Sequence, residues 1–195
     1  MKTIDQASQK ILFTDARTHN GFSSELVSDE LLIRIYDLMK WAPTAANGNP
    51  ARFLFVKSPA NREKLLACVA AGNMEKTKSA PVTVILAQDM AFYEKLPKLM
   101  PHVDAKSWYA GNQKLIEETA MRNSSFQGAY FMLAARALGI DCGPMSGFDA
   151  AKLDQAFFAG TTWKSNFLCN LGHGDASKLH PRNPRLDFNE ACKIV

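Results

Sequence analysis

Arg17-Thr18-His19-Asn20 places a permanently charged, planar donor beside a hydroxyl, an imidazole and an amide. A guanidinium fork can meet two phosphate oxygens at once, and Thr and His can add hydrogen bonds. In isolation such a run is more often a solvated turn. Far along the chain Arg182 and Arg185 sit among prolines, with Lys178 and His180 nearby. They offer a second phosphate clamp or merely a polar tail.

Pro43-Thr44-Ala45-Ala46-Asn47-Gly48-Asn49-Pro50-Ala51-Arg52-Phe53 sheds bulk but keeps hydroxyl and amide groups. A flat ligand could approach that backbone and hydrogen-bond along its edges. The same residue types also build ordinary turns. In Asn73-Met74-Glu75-Lys76 the amide and ammonium stand one helical turn apart and can face one ligand, although exposed pairs at this spacing are common. The run from Gly139 to Asp149 reads as a helix stop, a constrained extended segment and a new helix start. Pro144, Met145, Ser146 and Gly147 lie within it. Gly147 removes a Cβ from the path to the backbone N–H groups, and a tight structural connection is an equal reading.

Other motifs fail on spacing. Gly160-Thr161-Thr162-Trp163-Lys164-Ser165 has one glycine where a phosphate loop needs more. No G-x-G-x-x-G follows a strand, which argues against a Rossmann domain. Gly172-His173-Gly174-Asp175 lacks a companion G-x-S-x-G, so His173 reads as a structural residue at a strand end.

The elements that must position these residues follow from periodicity. A first helix is expected over Asp5 to Phe13. A second starts at the Ser28 cap, carries the stripe Leu31, Leu32, Ile35, Leu38 and Met39, and stops at Pro43. Arg52 to Lys57 reads as a strand, Pro59 to Ala71 as a helix, and Val82 to Ala87 as a central strand. Residues 89 to 106 read as an irregular excursion. Lys114 to Leu138 is a long helix whose Ala129, Ala134, Ala135 and Ala137 suit close packing. Asp149 to Phe158 reads as a short helix and Ser165 to Leu171 as a strand. Without regular βαβ alternation the class is α+β.

Composition narrows the options. The 195 residues fit one domain, 1–195, and 47% hydrophobic with 22% charged residues describes a soluble globular chain. No apolar run approaches the roughly 18 residues of a membrane span. The first residues lack the apolar core of a secretory signal. Cys68, Cys142, Cys169 and Cys192 are scattered, which suggests free buried thiols in a reducing cytoplasm and no metal site. A net charge of +4 suits anionic ligands, but no dense basic run supports nucleic-acid binding.

Taken in order, these segments resemble the nitroreductase family of FMN enzymes along nearly the whole chain. The resemblance is closer to the branch of malonic semialdehyde reductases (3-hydroxypropanoate dehydrogenases) of pyrimidine utilisation. Phe13 to Gly21, Arg122-Asn123-Ser124-Ser125, Gly143 to Asp149 and Gly174 to Leu179 carry that narrower likeness. It implies an α+β fold with a mostly antiparallel central sheet flanked by helices, and an intertwined homodimer with a flavin site at each interface. Arg17, Thr18, His19, Arg185 and Arg182 would grip the FMN phosphate. Thr44, Ala45 and Asn47 would reach the flavin from the other subunit, with Ala45 standing in place of a family hydroxyl. Asn73 and Lys76 would address the polar edge of the ring. Pro144, Met145, Ser146 and Gly147 would lie along it, the Ser146 N–H near N5.

Gly21 stands where several relatives carry Lys or Arg, which leaves Lys76 as the cation expected near the ring. NADPH or NADH would be the reductant in a ping-pong cycle without metal or covalent nucleophile. For malonic semialdehyde the hydride would go to the aldehyde carbon, with Arg122 or Lys106 as candidate partners for the carboxylate. A general nitroaromatic, quinone or flavin reductase is the alternative. A flavin-binding protein without turnover is the alternative of another class.

Overall fold

The computed structural model describes residues 2–195; Met1 lies outside them. Eight α-helices and four strands alternate irregularly: α1 Gln6–Gln9, α2 Asp29–Met39, β1 Ala51–Val56, α3 Pro59–Leu66, α4 Ala71–Ser79, β2 Val82–Asp89, α5 Leu96–Leu99, α6 Gln113–Ala137, β3 Asp141–Met145, α7 Ala150–Phe157, β4 Trp163–Gly172 and α8 Phe188–Ala191. The strands form one antiparallel sheet in the order β1-β2-β4-β3. This is the expected α+β class.

All eight residues of β2 are buried, which explains its continuous apolar run. One face of the sheet packs on α2 and α6 through Leu32, Ile35, Val84, Leu86 and Phe131. The other packs against α3 and α7 through Leu65, Ile85, Leu153 and Leu168. The helices are cut where local chemistry demands. Ser28 accepts the Leu31 N–H, and Asp149 accepts the Lys152 N–H to cap α7.

Five expectations need correction. The Pro59 helix ends at Leu66, and α4 starts afresh at Ala71. The break arises because Val69 bridges Phe148 and the Cys68 carbonyl accepts the Asp149 N–H. The stretch after Gly139 is a true strand, β3. The excursion is ordered by short helical turns around a small core of Phe92, Leu96, Ala105 and Tyr109. Cys192 is exposed, unlike the other three cysteines. Of the four alanines singled out on α6, Ala134 and Ala135 are buried, whereas Ala129 and Ala137 face outward beside Phe126 and Tyr130.

Candidate functional site

The segment after α1 runs beside the open edge of β3. Thr18 forms a parallel bridge with Cys142, and the His19 N–H donates to the Cys142 carbonyl at 3.1 Å. Phe22 bridges Gly174, and the Ser23 N–H donates to the His173 carbonyl at 2.8 Å. The chain beyond β4 then returns over this arm. Arg17 donates to the His180 carbonyl, and Arg182 to the Ala16 carbonyl at 3.0 Å.

Between arm and tail lies a cleft of about 740 Å³ lined by Thr18 and by Arg17, Arg136, Arg182 and Arg185. Among the described residues no carboxylate lines it. Among the described residues the arginines in ion pairs are Arg52, with Asp89, and Arg122, with Glu118. Like charges about 8 Å apart repel by roughly 2 kcal/mol at an effective dielectric near 20. Four guanidinia without a counter-charge therefore make a site that favours an anion.

Sequence reasoning had placed His19 in this cluster. The structure turns its ring away from the cleft. The imidazole is buried beside Phe22, with Nε2 3.4 Å from Asp141 Oδ1, and its Nδ1 has no partner. It lies against Gly174 so closely that any Cβ there would collide with it. Thus Gly174 makes room for His19, and His19 supports the arm from behind.

At the far end of β3, about 10 Å from Cys142 at roughly 3.3 Å per residue, the chain meets α4. Asn73 Nδ2 donates to the Gly147 carbonyl at 2.9 Å, and the Ala70 N–H donates to the same oxygen at 3.0 Å. A Cβ at Gly147 would stand 2.5 Å from Asn73 Nδ2, so this approach requires glycine. Ser146 is exposed and Pro144 half-buried. The Met145 side chain is buried, its sulfur 3.7 Å from Thr77 Oγ1, so only its backbone is free to face a ligand. Lys76 lies half-buried on the same helix as Asn73. Gly21 does not leave a space without charge: the Lys178 side chain crosses it, with Nζ 3.2 Å from where a Cβ would stand. Lys76 is therefore not the sole ammonium on these segments.

Thr44, Ala45 and Asn47 are elsewhere. They belong to a loop with left-handed backbone at Ala46, Asn47 and Asn49 (φ 53°, 52° and 43°). Two buried amides on α6 hold it. Asn123 Oδ1 accepts the Ala45 N–H at 2.8 Å, and Gln127 Oε1 accepts the Ala51 N–H at 2.9 Å. The Asn47 amide donates to the Leu99 carbonyl at 2.8 Å. Thr44 and Ala45 line a pocket of about 360 Å³ with Arg122, Asn123 and Phe126. This pocket shares no lining residue with the arginine cleft. Arg122 is largely exposed and pairs with Glu118 at 3.2 Å. Lys106 pairs with Glu94 at 2.6 Å and lines neither pocket.

Sequence reasoning missed three residues here. Asn123 and Gln127 carried a readable signal: two amides four residues apart on a helix, which need partners if that face is buried. Arg136 carried none, since a lone Arg near a helix C-terminus is commonplace.

The architecture is thus a helix-flanked antiparallel sheet with an anion-favouring cleft at one end of its edge strand and an amide-held glycine at the other. Residues 14–173 match the Nitroreductase family, and the chain belongs to it. A Ralstonia nicotianae protein provisionally named NADH dehydrogenase/NAD(P)H nitroreductase is 58% identical over 195 residues, all of both chains. A Polynucleobacter asymbioticus protein of the same provisional name is 59% identical over 98% of each. In fold the chain is similar to ydfN of Bacillus subtilis, provisionally named a nitroreductase (TM-score 0.89, 23% identity, 98% of this chain and 100% of that one). It is also similar to an Exiguobacterium sibiricum protein, provisionally named a nitroreductase and solved in complex with FMN (TM-score 0.86, 19% identity, 100% and 99%).

Proposed function

We propose that this chain is an FMN-dependent NAD(P)H oxidoreductase acting as a homodimer, with residues 1–195 as one FMN-binding domain. The observation that carries this is the carboxylate-free arginine cleft, joined through β3 to the Asn73–Gly147 contact. A terminal phosphate suits four unpaired guanidinia and a hydroxyl. The names of the Ralstonia and Polynucleobacter relatives, and the FMN in the Exiguobacterium structure, support the same cofactors.

Arg17, Thr18, Arg182 and Arg185 would hold the phosphate, with His19 bracing the arm. Asn73 and Lys76 would face the polar edge of the ring, and Pro144, Met145, Ser146 and Gly147 would present backbone along it. When bound, FMN supplies two-electron hydride chemistry between a nicotinamide and an acceptor. The residues bind, orient and charge-balance. Positive charge from Lys76 and Lys178 would stabilise anionic character gained by their ligand. Within one chain the Thr44–Asn47 loop stands apart from the cleft, which supports its serving the site of a second copy. An exposed apolar stripe on α6, Phe126 and Tyr130, supports the same pairing. Three buried free thiols fit a reducing cytoplasm.

For the substrate we propose malonic semialdehyde, which gains a hydride at the aldehyde carbon and a proton at oxygen to become 3-hydroxypropanoate. The four segments of branch resemblance support it, as does Arg122 beside Thr44 and Ala45, where a guanidinium could meet the carboxylate. Arg122 also pairs with Glu118, but Lys106 lines neither pocket and is less available for that role. The names of the curated relatives favour a second reading, a general nitro or quinone reductase. Purified protein should take up FMN, seen in its visible absorption, and then oxidise NADH or NADPH with a panel of aldehydes, quinones and nitro compounds. Failure to take up FMN overturns the cofactor assignment. Turnover with quinones or nitroaromatics but none with malonic semialdehyde overturns the substrate and leaves the second reading.

A further inference from the structure

We infer that Arg136 binds the anionic group held in the arm–tail cleft, beside Arg17, Arg182 and Arg185. This rests on the flavin reading only in taking that group to be a phosphate ester. Arg136 projects from the last turn of α6, which packs on the sheet, whereas the other three guanidinia sit on the arm and the tail. Its Nη1 donates to the Leu12 carbonyl at 3.0 Å. Its Nε is buried and has no partner, and among the described residues no carboxylate pairs with it. A buried, charged donor left without an acceptor is unfavourable, and more so than a neutral one. Elsewhere in the molecule a partly buried arginine has a counter-charge: Arg52 donates to the Asn49 and Ala51 carbonyls and pairs with Asp89. Arg136 instead faces a cleft that already gathers three like charges. A bound phosphate oxygen relieves that repulsion and gives the cleft-lining edge of the guanidinium a charged acceptor, which the buried Nε and the Leu12 carbonyl do not supply.

The geometry also assigns Arg136 a distinct share of the work. Arg17 and Arg182 each spend a donor on the backbone of the opposite segment, holding arm and tail together. Arg136 reaches the cleft from the packed body, so it can fix where the anion sits relative to β3.

The test compares FMN with riboflavin, which lacks the phosphate, by flavin-fluorescence titration of the wild type, Arg136→Gln and Arg136→Lys. Inorganic phosphate is tested separately through its effect on Tm. Arg136→Gln should weaken FMN about tenfold or more, the scale of a lost charged hydrogen bond, and leave riboflavin within about twofold. Arg136→Lys, which keeps the charge but loses the fork, should fall between and serves if the Gln variant does not fold. Phosphate should raise the Tm of the wild type and not that of Arg136→Gln. Equal losses for both flavins, or none, would show that Arg136 only clamps Leu12 and would overturn the inference. A wild type that binds neither flavin but is stabilised by phosphate through Arg136 would overturn the flavin reading alone. If phosphate also leaves the wild-type Tm unmoved, both fall.

Discussion

At the scale of single residues, two glycines mark where the site tolerates no extra atom. Gly147→Ala would press a methyl against Asn73 Nδ2 and break its bond to the Gly147 carbonyl. Overpacking of this kind costs about 1–3 kcal/mol, and it should lower Tm and weaken FMN together, as read by thermal melts and flavin titration. Gly174→Ala would strike the His19 ring and should destabilise the fold at least as much. The cysteines make a prediction in the opposite direction. Cys68, Cys142 and Cys169 are buried and Cys192 is exposed. Native protein should therefore show one thiol reactive to a disulfide reagent, and denatured protein four. A hydrogen bond with Cys142 and then burial hold the Cys169 thiol well above the usual range. The folded state thus keeps a proton that the unfolded chain loses at alkaline pH. Stability should fall as pH rises past the ordinary thiol range, and Cys169→Ala should flatten that fall in denaturation measured from pH 7 to 10. Arg17, Arg182 and Arg185 were named from the sequence only through the family resemblance, because alone they read as a solvated turn and a polar tail. Arg136 was not, because its meaning depends on Leu12 and a tail that only folding brings near.

At the scale of elements, the Thr44–Ala51 loop joins strain to support. Left-handed backbone costs a residue with a Cβ about 1–2 kcal/mol, and three such residues stand here. Ala46→Gly removes that cost at one of them, against about 0.4–1 kcal/mol of added chain entropy in the unfolded state. It should leave Tm unchanged or slightly raised in a thermal melt. Asn123→Ala should do the reverse, leaving the Ala45 N–H without its acceptor at a cost of about 1–3 kcal/mol. The apolar periodicity of α2, α6, β2 and β4 made those elements readable. β3 was harder, since Gly143 and Pro144 both disfavour strands. It exists because Pro144 lies near the sheet edge, where a missing N–H is tolerated, and because β4 pairs with it along its length. The break between α3 and α4 had no local signal either, because an isolated bridge to Phe148, 79 positions from Val69, makes it.

At the scale of the whole molecule, the outward faces of α2 and α6 expose Tyr36, Phe126 and Tyr130, and the turn after α2 exposes Trp41. Covering such a surface with a second copy predicts a particle of twice 21.6 kDa in sedimentation at micromolar concentration. A monomer that still binds FMN normally would remove the reason for assigning the Thr44–Asn47 loop to a neighbouring site. The arginine cleft has its own consequence for a shortened chain. Its two cross-braces join residues 163 and 166 positions apart, Arg17 with His180 and Ala16 with Arg182. The sheet is complete at Gly172, before either tail partner is reached. A chain cut short of residue 180 should therefore keep its sheet, lose both braces and bind FMN more weakly than the full chain in a flavin titration.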